Sequence, residues 1–277
     1  MQSVDSSPTP AVDSPTSLAA RLRRANRRTL NVPDDWGFLD SLTGSRSRSE
    51  RILEESVRSG AILRISRGHY LLRSPSGAIP EGALDIVGQI TRQRHLVTAG
   101  AALADAGWLD QGQRVIIVLV GSDQRPWTLL GQRITYLRVI PGDLWGGRPQ
   151  KLGGPQPTIV ARPERAILDA AAHPGWGVTL SQVARATRIG LARDPQFHQR
   201  LAAAAARYGN TFLARRLGMI VQTLSDSATA APFLPLRGAS RKVIPLDRTA
   251  EVEPLNRVDW TWRVAMNVDL SILLEQA

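Results

Sequence analysis

The amino-acid sequence predicts a mixed α+β protein in which a small N-terminal unit precedes a larger mixed α/β domain. Two observations predict the small unit: apolar residues recur at helical spacing in three short segments before Gly60, and two strand patterns follow them. Beyond residue 82, helical and strand patterns intermix, which predicts the larger domain. The chain has 277 residues, 43% of them hydrophobic, which is enough for a substantial core.

Composition divides the chain into four segments. Residues 1–17 are mostly Ser, Pro, Thr and Asp, so we expect a disordered tail. Residues 18–74 form the small unit, and the segment 75–82 contains enough Gly and Pro to be a linker. Residues 83–277 form the larger domain.

The first two helices of the small unit are short. The segment LAARLRRANRR places Leu18 and Leu22 one turn apart among arginines, which predicts a basic helix. After Pro33, the segment DDWGFLDSL predicts a second helix, because acidic residues favour the positive N-terminal end of a helix. Thr43 and Gly44 then end this helix.

The segment 45–60 predicts a third helix that Ser45 caps and Gly60 ends. On a helical wheel, one face carries the residues expected to pack, namely Ser49, Ile52, Leu53, Ser56 and Val57. The opposite face is polar and partly basic, and it includes Arg51 and Arg58.

A β-hairpin pattern follows the third helix. The segment AILRISRGHYLLR predicts two strands joined by a tight turn at Arg67-Gly68. Three helices followed by a hairpin is the layout of a winged helix-turn-helix, which binds DNA with its third helix in the major groove. Residues 45–73 carry seven arginines against three glutamates, so the sequence predicts that this unit binds DNA.

Particular residues are candidates for this role. The candidate DNA-binding residues are Arg46, Ser47, Arg48, Arg51, Arg58, Arg64, Arg67 and Arg73. We expect Ser47, Arg48 and Arg51 to reach base edges, and Arg64 and Arg67 in the hairpin to contact phosphates. The alternative for the third helix is a solvated basic face. The possible phosphate contacts in the first helix are Arg21, Arg24 and Arg28, which could equally pair with acidic residues of the same unit.

The larger domain mixes both kinds of element. Helices are predicted at 84–91, 98–108, 162–173, 178–189, 195–208 and 210–224, and strands at 114–121, 132–140, 240–246 and 259–268. The strand at 114–121 lacks alternation, so we expect it to be buried on both faces. The segment 141–157 contains too many Gly and Pro residues for regular structure.

The charge of the chain favours an acidic partner. The formal net charge is +11, and only two of the 35 basic residues, Lys151 and Lys242, are lysines. A GC-rich genome would explain the preference for arginine, but it does not explain the excess over acidic residues. A strongly basic soluble chain indicates nucleic acid as a partner.

Several functions are disfavoured. The absence of cysteine excludes disulfides and thiolate metal sites, the four histidines are scattered, and we expect no metal and no cofactor. The acidic residues Glu164 and Asp169 are expected to pair with Arg162 and Arg165 rather than to act as an acid/base couple. The chain shows no apolar run long enough to span a membrane and no secretory signal, so we expect a soluble cytoplasmic protein that is not an enzyme.

Four segments together resemble the AbiEi family of bacterial antitoxins. They are GAILRISRGHYLL in the hairpin, TAGAALADAGW before the first strand of the larger domain, ARPERAILDA at 161–170, and the terminal WTWRVAMNVD. The segments span most of residues 18–270, although the arginine-rich first helix and the tail before it depart from the family pattern.

The resemblance implies a winged-helix antitoxin that binds double-stranded DNA at the promoter of its own operon and represses it. It also implies that the protein counteracts a cognate nucleotidyltransferase-like toxin, either directly or functionally, and a homo-oligomer on DNA is possible. The alternative is a stand-alone transcriptional regulator whose larger domain dimerises or senses a ligand. An enzyme, such as a nuclease, would require distant acids such as Asp85, Asp105 and Asp169 to meet.

Overall fold

The computed structural model describes residues 17–32, 34–74, 82–91, 93–110, 114–129, 131–150, 157–250 and 257–268. The predicted tail, apart from Ser17, and residues 75–81 of the predicted linker lie outside these ranges. Ser17 caps the first helix, since its hydroxyl accepts the amide proton of Ala20 at 3.2 Å.

The chain divides into two compact units. The first comprises residues 1–93 and 149–158, and the second comprises residues 94–148 and 159–277. The boundary lies later than the one expected after residue 82, because the helix at Ala83–Ile90 packs against a strand of the first unit. The mixed α+β fold class that the sequence predicts is confirmed.

The first unit has the element order of a winged helix. Its elements are α1 (Leu18–Arg24), β1 (Thr29–Asn31), α2 (Trp36–Thr43), α3 (Arg46–Arg58), β2 (Ile62–Ser66), β3 (His69–Leu72) and α4 (Ala83–Ile90). The strands form an antiparallel sheet in the order β1-β3-β2, so the predicted hairpin is present. The sequence did not predict β1, whose three residues are too few to show alternation.

Apolar side chains, most of them leucines, form the core of this unit. The buried members are Leu18, Ala19, Leu22, Leu30, Leu39, Leu53, Ile62 and Leu72. They come from α1, β1, α2, α3 and both strands of the hairpin, so each of these elements contributes its apolar face to one cluster.

The second unit is built on a six-stranded sheet in the order β6-β7-β5-β4-β9-β8. The strands are β4 (His95–Thr98), β5 (Val115–Val120), β6 (Trp127–Leu129), β7 (Gln132–Arg138), β8 (Gly147–Pro149) and β9 (Ile159–Ala161). As expected, β5 is buried along nearly its whole length, and it lies between an antiparallel β4 and a parallel β7.

Helices complete the second unit. They are α5 (Ala99–Asp105), α6 (Pro163–Ala172), α7 (Leu180–Arg193), α8 (Phe197–Tyr208), α9 (Thr211–Leu224) and α10 (Ser227–Ala230). A small sheet follows in the order β10-β12-β11, formed by β10 (Ile244–Pro245), β11 (Val258–Asp259) and β12 (Val264–Ala265).

Some predicted elements of the second unit need correction. The segment 141–157 was expected to be irregular, but it contains β8, because backbone pairing tolerates Gly and Pro at the edge of a sheet. The strand expected at 240–246 is reduced to the two residues of β10. The strand expected at 259–268 is also short, because a turn at residues 260–263 interrupts it and leaves only two residues of β12 after the turn. The described part of the chain holds no helix of the length and hydrophobicity that a bilayer crossing requires.

The turn of the hairpin depends on Gly68. Its φ is +81°, and a Cβ at this position would lie 2.2 Å from the carbonyl oxygen of Val32. The approach is close because the amide of Val32 donates a hydrogen bond to the carbonyl of Gly68 at 2.6 Å. This bond attaches the tip of the hairpin to the end of β1.

We therefore expect Gly68→Ala to destabilise the hairpin more than Gly60→Ala. Both glycines have positive φ, but a Cβ on Gly60 would meet no atom within 4 Å, so it is the matched control. The strain of φ costs roughly 1–2 kcal/mol at either position, and the clash at Gly68 adds about 1–3 kcal/mol. Hydrogen exchange of the amides in β1 and β3 measures the difference, and equal protection in the two variants would contradict the close contact.

Candidate nucleic-acid interface

The connection between α2 and α3 forms a helix-turn-helix. Gly44 follows α2 with a φ of +95°, and its amide donates to the carbonyl of Asp40 at 2.7 Å. The chain then turns sharply and begins α3 at Arg46. Glycine adopts this left-handed conformation without steric cost, so the turn that the sequence predicts at Thr43 and Gly44 is confirmed.

A buried polar cluster fixes the start of α3 against α2. Ser49 is fully buried, and its hydroxyl donates to a carboxylate oxygen of Asp40 at 2.7 Å. The Oγ of Ser49 also lies 2.6 Å from Oγ1 of Thr43, which donates to the carbonyl of Leu39. The two buried hydroxyls, those of Ser49 and Thr43, are therefore hydrogen-bonded, and the partly exposed Asp40 accepts from one of them.

The sequence places Ser49 on the packing face of α3 but does not reveal this polar cluster. The position of Ser49 on the same face as Ile52, Leu53 and Val57 indicates that its hydroxyl needs a hydrogen-bond partner, because a buried hydroxyl is rarely left without one. The sequence alone could not identify Asp40 as that partner, since the two residues belong to different helices. The hydroxyl of Ser45, predicted to cap α3, makes no capping bond.

The outer face of α3 is polar and carries charges of both signs, since Glu54 and Glu55 are exposed beside the arginines. Ser47, Arg51 and Arg58 are exposed along it, and the exposed Glu54 lies among them. Leu53, on the opposite face, is buried. The division of the helix into a packed face and a solvent face is as predicted, and Arg51 and Arg58 lie about two turns apart on the solvent face.

Arg46 and Arg48 lie at the first turn of α3. The Nε of Arg46 lies 3.1 Å from a carboxylate oxygen of Asp40, and its guanidinium carbon lies 4.4 Å from the centre of the Trp36 ring. Arg46 is thus already engaged by its own unit. Arg48 is exposed and lines a cavity of about 170 Å³ next to α1.

The hairpin carries two exposed arginines. Arg64 lies in β2 opposite Tyr70, and Arg67 lies in the turn beside Gly68. Arg73, the third predicted contact of this segment, is half-buried, and its carbonyl accepts a hydrogen bond from Arg23 at 2.9 Å. Arg64 and Arg67 are therefore the better placed of the three for contact with DNA.

The arginines of the first helix fall into two groups. Arg21 donates a hydrogen bond to the carbonyl of Leu42 and so connects α1 to the end of α2. Arg24 and Arg28 are exposed, and they remain possible phosphate contacts. Arg27 pairs with Asp35 and lies over the ring of Phe38. Arg27 is thus the member of this cluster that pairs with an acidic residue of its own unit, and the phosphate contacts of Arg24 and Arg28 stay a prediction.

Three acidic residues of the second unit pair with arginines. Asp169 accepts a hydrogen bond from Nε of Arg165 at 2.8 Å, and Asp105 accepts one from Arg148 at 2.7 Å. Glu164 pairs with Arg200 at 2.6 Å instead of the expected Arg162, because α8 packs against α6. The side chain of Asp85 lies outside the described side chains. The described residues contain no cluster of three metal-ligating side chains.

Comparisons with known proteins support the fold. No protein-family model and no curated protein sequence matches the chain. A solved structure similar to it is the crystal structure of the RV2827C protein from Mycobacterium tuberculosis. The TM-score is 0.63 with 14% sequence identity, over 94% of this chain and 93% of that chain. The protein is thus a mixed α+β protein with a winged-helix first unit, and its fold is shared along nearly its whole length.

The polar cluster beneath α3 leads to a stability prediction. We expect Ser49→Ala to lower the free energy of unfolding of the first unit by about 1–3 kcal/mol, because Asp40 loses a buried hydrogen-bond donor. The matched control is Ser56→Ala, since Ser56 lies on the same face of α3 but bonds only the carbonyl of Ile52 in its own helix. Hydrogen exchange of the α3 amides measures both effects, and a loss in Ser56→Ala as large as that in Ser49→Ala would contradict the prediction.

Proposed function

We propose that the first unit binds double-stranded DNA, with α3 in the major groove and the hairpin beside the phosphate backbone. The observation that carries this proposal is the exposed, arginine-bearing face of α3, held in place by the partly buried Ser49–Asp40 hydrogen bond. A helix that is fixed on its packed face can present Ser47, Arg48 and Arg51 to base edges in one orientation. Arg64 and Arg67 would then neutralise phosphates.

The biological role that we propose is that of an antitoxin and repressor. In this role the protein binds the promoter of its own operon and counteracts a cognate nucleotidyltransferase-like toxin in the cytoplasm. The resemblance of four segments to the AbiEi family and the net charge of +11 support the proposal. The protein would act by binding rather than by catalysis, because the acids Asp105 and Asp169 are paired with arginines.

The alternative is a stand-alone winged-helix regulator whose second unit senses a ligand. A cavity of about 380 Å³ in the second unit is the observation that favours it. The two functions differ in one testable respect. An antitoxin restores growth to cells that express the protein encoded next to it, whereas a stand-alone regulator does not.

We expect Arg51→Ala to weaken binding to the operator by about 1–3 kcal/mol, because an arginine that contacts guanine through two hydrogen bonds contributes that much discrimination. The binding of unrelated DNA should change little. Electrophoretic shift titrations of operator and random duplexes at fixed salt measure the two affinities. The matched control is Arg133→Ala, which removes an exposed arginine from β7 of the second unit. Parental operator affinity in Arg51→Ala would exclude Arg51 from the interface.

Arg67→Ala should behave differently from Arg51→Ala. A phosphate contact carries no sequence information, so binding to operator and random DNA should weaken alike. The slope of log K against log salt concentration should fall by about one unit, because one fewer counterion is released. An unchanged slope, measured between low and physiological salt, would remove Arg67 from the predicted phosphate contacts.

The division of labour between the units can be tested in the full chain. Truncation is unsuitable, because residues 149–158 of the first unit lie within the sequence of the second. We expect the double variant Arg51→Ala/Arg67→Ala to lose repression of its own promoter and to keep neutralising the neighbouring toxin. Reporter expression and growth during toxin co-expression measure the two activities. Loss of neutralisation in this folded variant would mean that the first unit also serves the antitoxin function.

A further inference from the structure

The second unit contains an open cavity of about 380 Å³. Aromatic side chains line it, namely Trp145, His173, Trp176 and Tyr208. Three arginines, Arg138, Arg165 and Arg207, also contribute to its lining. The volume is within the range of small-molecule sites, and a combination of aromatic walls and a few polar groups is typical of such sites.

A carboxylate oxygen without a donor lies in the wall of this cavity. Asp169 is 1% exposed, and its Oδ2 accepts hydrogen bonds from Arg165 and from the hydroxyl of Thr98. No donor among the described residues lies within hydrogen-bond distance of its Oδ1, which is also buried, although the hydroxyl of Tyr208 interacts with the same carboxylate at longer range. A buried acceptor in this state is costly. A ligand that brings an N–H group to Oδ1 would remove that cost.

Electrostatics at the cavity favours an anionic ligand. Arg165 neutralises the charge of Asp169. The other charged groups of the lining are then two arginines, Arg138 and Arg207, and one carboxylate, Asp143. Arg207 is exposed, with its guanidinium carbon 4.5 Å from the centre of the Trp145 ring. Arg138 pairs with the exposed Asp123 at 3.4 Å, a contact that water screens. Both guanidiniums can therefore bind an incoming phosphate.

Planar groups provide a surface for a flat ring. The rings of His173 and Trp176 are stacked, with centroids 4.0 Å apart and planes inclined by 17°. Loss of hydration lowers the pKa of His173, so its ring is neutral at pH 7. Burial, followed by the charge of Asp169, raises the pKa of Tyr208, so its hydroxyl stays protonated. Neutral aromatic rings of this kind stack with nucleobases.

We propose that this cavity binds a purine nucleoside 5′-monophosphate. The base stacks on the aromatic side chains that line the cavity, and its exocyclic amino group donates to Oδ1 of Asp169. The phosphate of the nucleotide binds Arg138 and Arg207. A purine is favoured over a pyrimidine because its two fused rings cover more of the wall. A free nucleotide and the 5′-phosphorylated end of a nucleic acid strand present the same chemistry. The site is independent of the DNA contacts proposed for the first unit.

Isothermal titration of the full-length protein tests the proposal. The ligands are AMP and GMP, with UMP, adenosine, ribose 5-phosphate and a 5′-phosphorylated tetranucleotide as comparisons. We expect adenosine and ribose 5-phosphate to bind at least about tenfold more weakly than AMP, since each lacks one half of the contacts. Tighter binding of the tetranucleotide than of AMP would support the site and assign its ligand to a nucleic acid end. Failure of both purine monophosphates and the tetranucleotide to bind at millimolar concentration would overturn the proposal.

The contact with Asp169 can be tested without changing the protein. Purine riboside 5′-monophosphate lacks the exocyclic amino group of AMP, so it should bind about tenfold more weakly if that group donates to Oδ1. Equal affinity of the two nucleotides would overturn the assigned contact. This comparison avoids substitution of Asp169, whose Oδ2 also holds Arg165 and Thr98 in place.

The phosphate contacts are tested with a matched pair of variants. Arg138 and Arg133 are both exposed on β7, but only Arg138 lines the cavity. Arg138→Gln and Arg207→Gln should each weaken AMP about tenfold and leave the affinity for adenosine unchanged, whereas Arg133→Gln should bind AMP like the parent. Equal losses in Arg138→Gln and Arg133→Gln would indicate general electrostatic attraction and overturn the assigned site.

Discussion

The buried ion pair between Arg165 and Asp169 is the constraint on which the second unit depends. Both residues lie on α6 and are at most 5% exposed. Asp169 also accepts the hydroxyl of Thr98 at the end of β4, and Arg165 donates to the carbonyl of Asp143 at 3.1 Å. One pair thus connects a helix, the central sheet and a loop. Removing one partner would leave a charge uncompensated away from water, at a cost of about 3–5 kcal/mol.

The first unit uses a smaller polar cluster for a similar purpose. Ser49, Thr43 and Asp40 occupy a place between α2 and α3 where apolar side chains alone would allow several packings. Directional hydrogen bonds favour one arrangement of the two helices, because any other would leave a buried group unsatisfied. The orientation of α3, on which the proposed DNA contacts depend, therefore follows from residues that do not face DNA.

Arginine has several roles in this protein, so its abundance alone overstates the surface available for nucleic acid. Arg215 is completely buried, and its guanidinium donates to the carbonyls of Arg237, Ser240 and Lys242. Burial lowers its pKa, and carbonyl dipoles compensate the charge in place of a carboxylate. Arg21 and Arg46 likewise hold helices together. The proposed interface rests on the smaller set that is exposed on α3 and the hairpin, because fold and net charge alone do not define a site.

The sequence by itself determined the helices of both units except the four-residue α10, together with the hairpin and the buried strand β5, since their patterns extend over enough residues for periodicity to show. It also determined which face of α3 packs. Only the tertiary structure decided the short strands β1, β4, β8 and β9, whose pairing partners are distant in the chain. The partners of Ser49 and Glu164 and the contact of Asp169 with Thr98 were decided in the same way, whereas the Arg165–Asp169 pair, four residues apart on one helix, was predicted. A hydrogen bond or ion pair between distant residues depends on how helices and strands pack, and local spacing carries no information about that packing.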